Sequence, residues 1–422
     1  MKIKYTPSTI FSLLIVLASA ALFIQCTSET KETVKQTVNE TILKAPDGFS
    51  VFEIGKDLGA VRHLTVAPNG DIYANRKALK DGKAIVALKD NNKDGKIDSQ
   101  ENFGELPGTE VLAKDGYLYA SSNSGIYRYK MNDKHEIIDT NSPEQIVGGL
   151  IDMGRDNAKP FTMDGNGNIY VTVGSWNDPC RDAEDKTGMN PCTILDSAAG
   201  IWKFRADKLN QTYADGSRYV TGIKNPVGLD WNSQTNSLFA TDHGRGKLHL
   251  YYPDLYTQQQ DNDLPAETFY ELKENDNAGW PYTYYDHIQK ARIVSPEYGG
   301  DGKKTGGEDA IDPIMAFPAH YGPNDVLFYT GDMFPKRYKN GAFIAFHGQN
   351  KTLNKGYFVA FVPFENGKPT GKWEIFLDNF AGINLANPDG ELQHRPCGLA
   401  QGPDGALYVA DDHGGSIFKV TY

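Results

Sequence analysis

The sequence predicts an all-β fold, a six-bladed β-propeller of four-stranded antiparallel blades. Three observations carry this. With 422 residues, 43 Gly, 23 Tyr and 20 Phe, the chain can bury one large β-rich core, and domains of this size and composition are propellers or barrels. A unit of apolar strand, Gly-containing turn and alternating strand rich in Tyr, Val and Ala recurs along it. The copies alternate with a period of two, which excludes a helical solenoid.

The first copy runs from His63 through Asn69-Gly70 to Tyr73, and the second from Val111 through Asp115-Gly116 to Tyr119. The third spans Phe161 to Val171, and the fourth Val227 to Ala240. A looser fifth copy links Val326–Tyr329 to Asn340–Ile344, and the last spans Gly398 to Val409. Asn-Gly and Asp-Gly turns supply the positive φ angles of tight hairpins. A strand at Phe49–Ile54 precedes the first copy and is expected to close the ring by pairing with Phe418-Lys419-Val420. The long insertions fall between the fourth and fifth copies, where loops build a functional face.

Ahead of the repeats, Lys2 and Lys4 precede an apolar run from Ile10 to Ile24, too short to span a membrane comfortably. Cys26 follows directly, so residues 1–26 read as a lipoprotein-type signal with Cys26 as the lipidated residue, although Gln25 is not the usual small residue. Cleavage after Ala18-Ser19-Ala20 is the plainer alternative. Either reading implies export, to the cell envelope if lipidated and otherwise as a secreted protein. Residues 27–44 are charged and Thr-rich and read as a flexible tether, with the propeller occupying 45–422.

An exported protein permits disulfides, and Cys180 and Cys192 flank one polar loop, so a local bridge is expected there, leaving Cys397 free. No Cys-x-x-Cys pair suggests a metal site, and no Cys-x-x-Cys-His suggests covalent haem. The net charge of -11 argues against a nucleic-acid partner, which would need clustered Lys and Arg.

The sharpest local motif is the twelve-residue stretch Asp90–Glu101, which matches an EF-hand calcium loop at each ligand position. Asp90, Asn92 and Asp94 offer side-chain oxygens, Lys96 a backbone carbonyl, Asp98 a further ligand and Glu101 a bidentate carboxylate, while Gly95 permits the turn. Ala84–Leu88 reads as a strand rather than a flanking helix, so calcium here would staple a blade hairpin. A solvated acidic turn is the alternative.

Several ordered stretches carry a family resemblance: Gly222-Ile223-Lys224-Asn225-Pro226, Ala240-Thr241-Asp242-His243-Gly244-Arg245, Asp261 to Glu267 and Gly279-Trp280-Pro281-Tyr282. Pro318 to Pro323, Phe346-His347-Gly348, Val362-Pro363-Phe364 and His394-Arg395-Pro396-Cys397 continue the series. Across residues 45–422 the chain resembles the pyrroloquinoline-quinone (PQQ)-dependent glucose/sorbosone dehydrogenases. That resemblance implies PQQ and Ca2+ over the central channel, a small-molecule sugar or alcohol as substrate, and an external electron acceptor. By position in the motifs, it implies cofactor-binding roles for Lys224, Asn225, Arg395 and His320, and a calcium region at Asp263 and Glu267. Lys224 stands where the family has Arg, and Lys lacks the planar fork.

The family's His ahead of the third repeat is absent, since the chain reads Gly154-Arg155-Asp156-Asn157-Ala158-Lys159-Pro160 there. Asp156 is the candidate base, provided burial raises its pKa; otherwise this is a solvated polar loop. The missing His keeps two other functions open: a non-catalytic envelope propeller that binds carbohydrate or protein, and a calcium-dependent lactonase with Glu, Asn and Asp on one channel ion. A nicotinamide enzyme and a Gly-x-Ser-x-Gly hydrolase are disfavoured, because neither motif occurs.

Overall fold

Six blade sheets form the described body of the protein, a computed structural model that describes residues 41–181, 187–349 and 353–422; each has four antiparallel strands, and the third gains a short parallel fifth, Asp276–Asn277. Blade 1 is Val61–Val66, Ile72–Lys80, Lys83–Lys89 and Ser99–Phe103; blade 2 is Val111–Lys114, Tyr117–Ser121, Ile126–Lys130 and Glu144–Val147. Blade 3 comprises Phe161–Met163, Asn168–Val173, Gly200–Arg205 and Ser217–Thr221, and blade 4 Pro226–Asn232, Ser237–Asp242, Glu267–Leu272 and Met315–Phe317. Blade 5 is Pro323–Phe328, Ala342–Phe346, Phe358–Val362 and Glu374–Leu377. Each repeat read from the sequence is the first hairpin of one blade.

Blade 6 uses both ends of the domain. Its strands Pro396–Gln401, Leu407–Asp411 and Ile417–Thr421 are completed by Ser50–Gly55, with Val51 opposite Val420 and Phe52 opposite Lys419. This is the ring closure expected from the sequence, and it removes a sheet edge. Phe49 locks it: its ring meets those of Phe334, Phe376 and Tyr422 edge-on at 4.9, 5.0 and 4.9 Å, contacts worth about 0.5–1.5 kcal/mol each beyond burial.

Burial follows position in the blade. Every residue of Ala342–Phe346 and Phe358–Val362 is buried, whereas the outer strand Ser99–Phe103 is exposed except at Phe103. The hydrophobic clusters lie between neighbouring blades, as where Tyr338, Phe343, Phe361 and Phe376 of blade 5 meet Leu399, Val409 and Phe418 of blade 6. At the second blade's turn, Asp115 and Gly116 take φ of 50° and 79°, the positive pair that a tight hairpin needs.

The tether boundary is corrected. Residues 42–44 belong to the folded body: Leu43 is buried, and Lys44 and Asp378 exchange backbone hydrogen bonds of 3.0 and 2.9 Å. Ile42 and Leu43 form a short apolar step that packs on the core beside blade 5. Residues 1–26, Cys26 and the rest of the tether to residue 40 lie outside the described residues. Cys180 and Cys192 are disulfide-bonded, and Cys397 is free and buried.

The Asp90–Glu101 loop joins two blade 1 strands, and it folds onto itself. Asp90 accepts from the amides of Asp94 and Gly95 at 3.1 and 2.8 Å, and Asp98 from those of Asn91 and Asn92 at 2.8 and 3.1 Å. Glu101 stands apart on the outer strand, 3.5 Å from Lys89. Among the described residues no three His, Cys, Asp or Glu side chains converge on a metal position. Of the six expected ligands, Glu101 is held on the outer strand beside Lys89, while the other five lie in the loop.

Candidate functional site

A cavity of about 670 Å³ opens where the inner strands begin. Its walls come from the residues at or just before those strands: Arg62 in blade 1, Lys224, Asn225 and Val227 in blade 4, Asn324 in blade 5 and Arg395 before blade 6. The ends of the second strands add His243 and His347, and the loop before blade 3 adds Asp156. Glu267 and His320 complete the expected set. The structure thus brings Lys224, Asn225, Arg395, His320, Glu267 and Asp156 to one cavity.

Asp242, at the end of blade 4's second strand, fixes the Lys224–Asn225 turn. Its carboxylate accepts from the Asn225 amide at 2.6 Å and the Lys224 amide at 3.2 Å. Burial pushes this carboxyl up to about 7 against those amides and Lys224. Gly174 permits the turn's closeness to blade 3, since a Cβ there would lie 2.5 Å from the Asp156 carbonyl and 2.6 Å from Asn225 Oδ1.

The Lys224 ammonium donates to Asp178 at 2.9 Å and to Asp156 at 3.1 Å. Burial alone would lower its pKa, but the two carboxylates outweigh it and hold the amine above its ordinary value. Asp178 also accepts from Arg155 at 2.5 Å. Burial raises Asp178, yet Lys224 and Arg155 prevail and hold it at about 2. Asp156 therefore faces the cavity as an ion-pair partner of Lys224.

Glu267 braces the opposite wall. One oxygen accepts from the His320 amide at 2.8 Å and the other from the Gly244 amide at 3.1 Å, and burial pushes the carboxyl up to about 7. His320 in turn directs Nε2 to the Asp261 carbonyl at 2.9 Å. Asp263 is a correction to the sequence reading: its carboxylate pairs with Lys355 at 2.8 Å and accepts from Gln259 at 2.6 Å, outside the cavity lining. Its position on the short helix Gln258–Asp263 points it at the blade 5 loop, so the Asp263–Glu267 pair does not fit a calcium site.

Arg395 donates to Asp412 at 2.7 Å, and His347 Nε2 lies 3.2 Å from the same carboxyl. Burial would raise Asp412, but His347, Arg62 and Arg395 hold it far below its usual range. Arg62 Nε is buried and has no hydrogen-bond partner among the described residues. An unsatisfied guanidinium donor beside Arg395 and Lys224 fits a polycarboxylate ligand such as the expected quinone.

His243 is the further group the sequence reading passed over. Its Nε2 lies 3.2 Å from the Pro323 carbonyl, which assigns the proton there and leaves Nδ1 as the acceptor. Burial, with Lys224 and His347 adding, lowers its pKa to about 3, so it is neutral. Asp178 and Arg62 were missed as well. His243 stood inside a quoted motif, whereas Asp178 signalled only through its closeness to Cys180.

Residues 43–422 match the family described as TrAA12-like. A Hypocrea jecorina (strain QM6a) protein named pyrroloquinoline quinone-dependent sugar dehydrogenase is 23% identical over 431 residues, 94% of this chain and 93% of that one. An uncharacterized Borreliella burgdorferi protein is 29% identical over 203 residues, 48% of this chain and 48% of its own length. The calcium structure of the Trichoderma reesei Carbohydrate-Active Enzymes Family AA12 protein superposes with a TM-score of 0.72 at 18% identity, covering 92% of this chain and 99% of that one.

Proposed function

The chain belongs to the TrAA12-like family, and from that premise we propose that it oxidises a sugar or related alcohol with pyrroloquinoline quinone and passes the electrons to an external acceptor. The carrying observation is the convergence of Lys224, Asn225, Arg395 and Arg62, whose Nε is without a partner among the described residues, on one cavity. Lys224, Arg395 and Arg62 would hold the ligand's carboxylates, and the Asn225 amide side chain would orient it. The quinone, when bound, supplies the two-electron acceptor for hydride from the alcohol carbon.

His243 Nδ1 takes the hydroxyl proton in this reading. Its neutral form is the one required; burial holds its pKa down first, and an anion near Lys224 would offset the smaller part that this cation adds. Asp156, paired to Lys224, keeps that cation in place. Calcium stays in the proposal on the strength of the calcium-bound AA12 neighbour, without Asp263 as a ligand and without a step routed through it. Reconstitution with quinone and calcium, followed by a dye-reduction assay over a panel of aldoses and keto-sugars, tests the reading. Quinone-dependent turnover of at least one sugar supports it, and none on any sugar refutes the enzymatic part.

Two further inferences rest on sequence alone. The apolar run ending at Cys26 supports export as a lipidated envelope protein, which labelling with a fatty-acid analogue and its loss in Cys26→Ser would test. The ligand spacing of Asp90–Glu101 supports a structural calcium there, once Glu101 leaves Lys89. Calcium should then raise the melting temperature of wild type and not of Glu101→Ala.

A further inference from the structure

We infer that Asp178 is a positioning residue for Lys224, and that the Cys180–Cys192 disulfide holds Asp178 in place. The inference rests on the proposed function only in naming Lys224 a ligand for an anionic cofactor.

An ammonium has three N–H donors. Lys224 spends two of them on Asp178 Oδ1 and Asp156 Oδ2, leaving one for the cavity. The two carboxylates are not equivalent. The Asp178 side chain is 6% exposed and that of Asp156 20%. Asp178 also binds Arg155 with its second oxygen, so it orients both cations of the wall.

What fixes Asp178 is its backbone. Its carbonyl accepts from Trp280 Nε1 at 2.7 Å. Two residues on, Cys180 is bridged to Cys192, and the Tyr298 hydroxyl donates to the Cys180 carbonyl at 3.1 Å. On the other side of the bridge, the Cys192 amide donates to the Tyr282 hydroxyl at 3.0 Å. Trp280, Tyr282 and Tyr298 all belong to the long insertion of blade 4, the blade that Lys224 precedes. The disulfide therefore closes the loop bearing Asp178, and hydrogen bonds on both sides of the bridge dock that loop on the insertion that frames the site. Without the bridge, the segment bearing Asp178 would be held only by hydrogen bonds and ion pairs, among them those of Trp280, Tyr298 and Arg155.

A buried amine stripped of its closest carboxylate shifts towards the neutral, nucleophilic form. Trace acetylation of the quinone-free protein at pH 9, read by peptide mass spectrometry at Lys224, measures this. Asp178→Asn is expected to raise Lys224 labelling about tenfold, with Asp178→Glu returning it towards wild type. The double variant Cys180→Ala/Cys192→Ala is expected to raise it several-fold; if that protein does not fold, Asp178→Asn and Asp178→Glu decide. Equal labelling in wild type and Asp178→Asn overturns the positioning role. A rise in Asp178→Asn with none in a folded cysteine variant overturns the role of the bridge. Because no quinone is present, failure of quinone to bind would remove the functional reading and leave this result standing.

Discussion

His63 Nδ1 lies 2.7 Å from Glu110 Oε2, a buried pair between the cofactor cavity and a second cavity that Glu110 lines. The neighbours of His63 mark the division, with Arg62 on the larger cavity and Leu64 on the smaller one of about 320 Å³. Burial alone would lower the His63 pKa, but Asp325 and Glu110 outweigh it and hold the imidazole charged well above its usual range.

A raised folded pKa means that His63 stabilises fully below its unfolded value of about 6.5, and that the contribution fades as pH rises through the raised value. His63→Gln should therefore lose about 3–5 kcal/mol in urea unfolding at pH 6, because Glu110 and Asp325 are left buried without their cation. The gap to wild type should narrow at alkaline pH.

Asp242 and Glu267 act over a lower window. Both carboxyls are pushed up to about 7, so the native state keeps protons that the unfolded chain releases above about pH 4. Their joint effect is a loss of stability as pH rises from about 4 to 7. Asp242→Asn and Glu267→Gln should each flatten that slope in melting temperature against pH.

Arg245 and Glu297 form a second buried pair at 2.5 Å, with side chains 3% and 0% exposed. Glu297→Ala should cost about 3–5 kcal/mol, and the double variant Arg245→Met/Glu297→Leu markedly less, since removing both charges leaves none unpaired. Guanidinium unfolding of the three proteins checks this.

In the reconstituted enzyme, His243→Gln should lower kcat by about 10²–10⁴-fold with little change in quinone affinity, the signature of a lost proton acceptor. Asp156→Asn should act mainly on quinone affinity, through Lys224. Parallel kcat and absorption titrations separate the two residues.

The propeller was legible because each blade repeats the same apolar strand, Gly turn and alternating strand, and because Phe49–Ile54 had nothing else to pair with. Lys224, Asn225, Glu267, His320 and Arg395 were legible as ordered motifs. Arg62 and Asp178 were not, since residues 62 and 395 become neighbours only when the ring closes, and 178 and 224 only when blades 3 and 4 pack. Asp263 misled for the converse reason: it stands in the right motif, but the turn of its short helix sends the carboxylate to Lys355. The Asp90–Glu101 loop matched a ligand pattern in one dimension, while its strand register placed Glu101 opposite Ala87, away from the other five positions.

Titration of pyrroloquinoline quinone into the calcium-loaded protein, followed by absorption and calorimetry, tests the central claim most directly. One saturable site per chain is expected, with affinity at least about tenfold weaker in Lys224→Met and in Arg395→Met, the loss of one charge-assisted contact each. Absence of binding, or binding that neither substitution weakens, would contradict the assignment of this cavity.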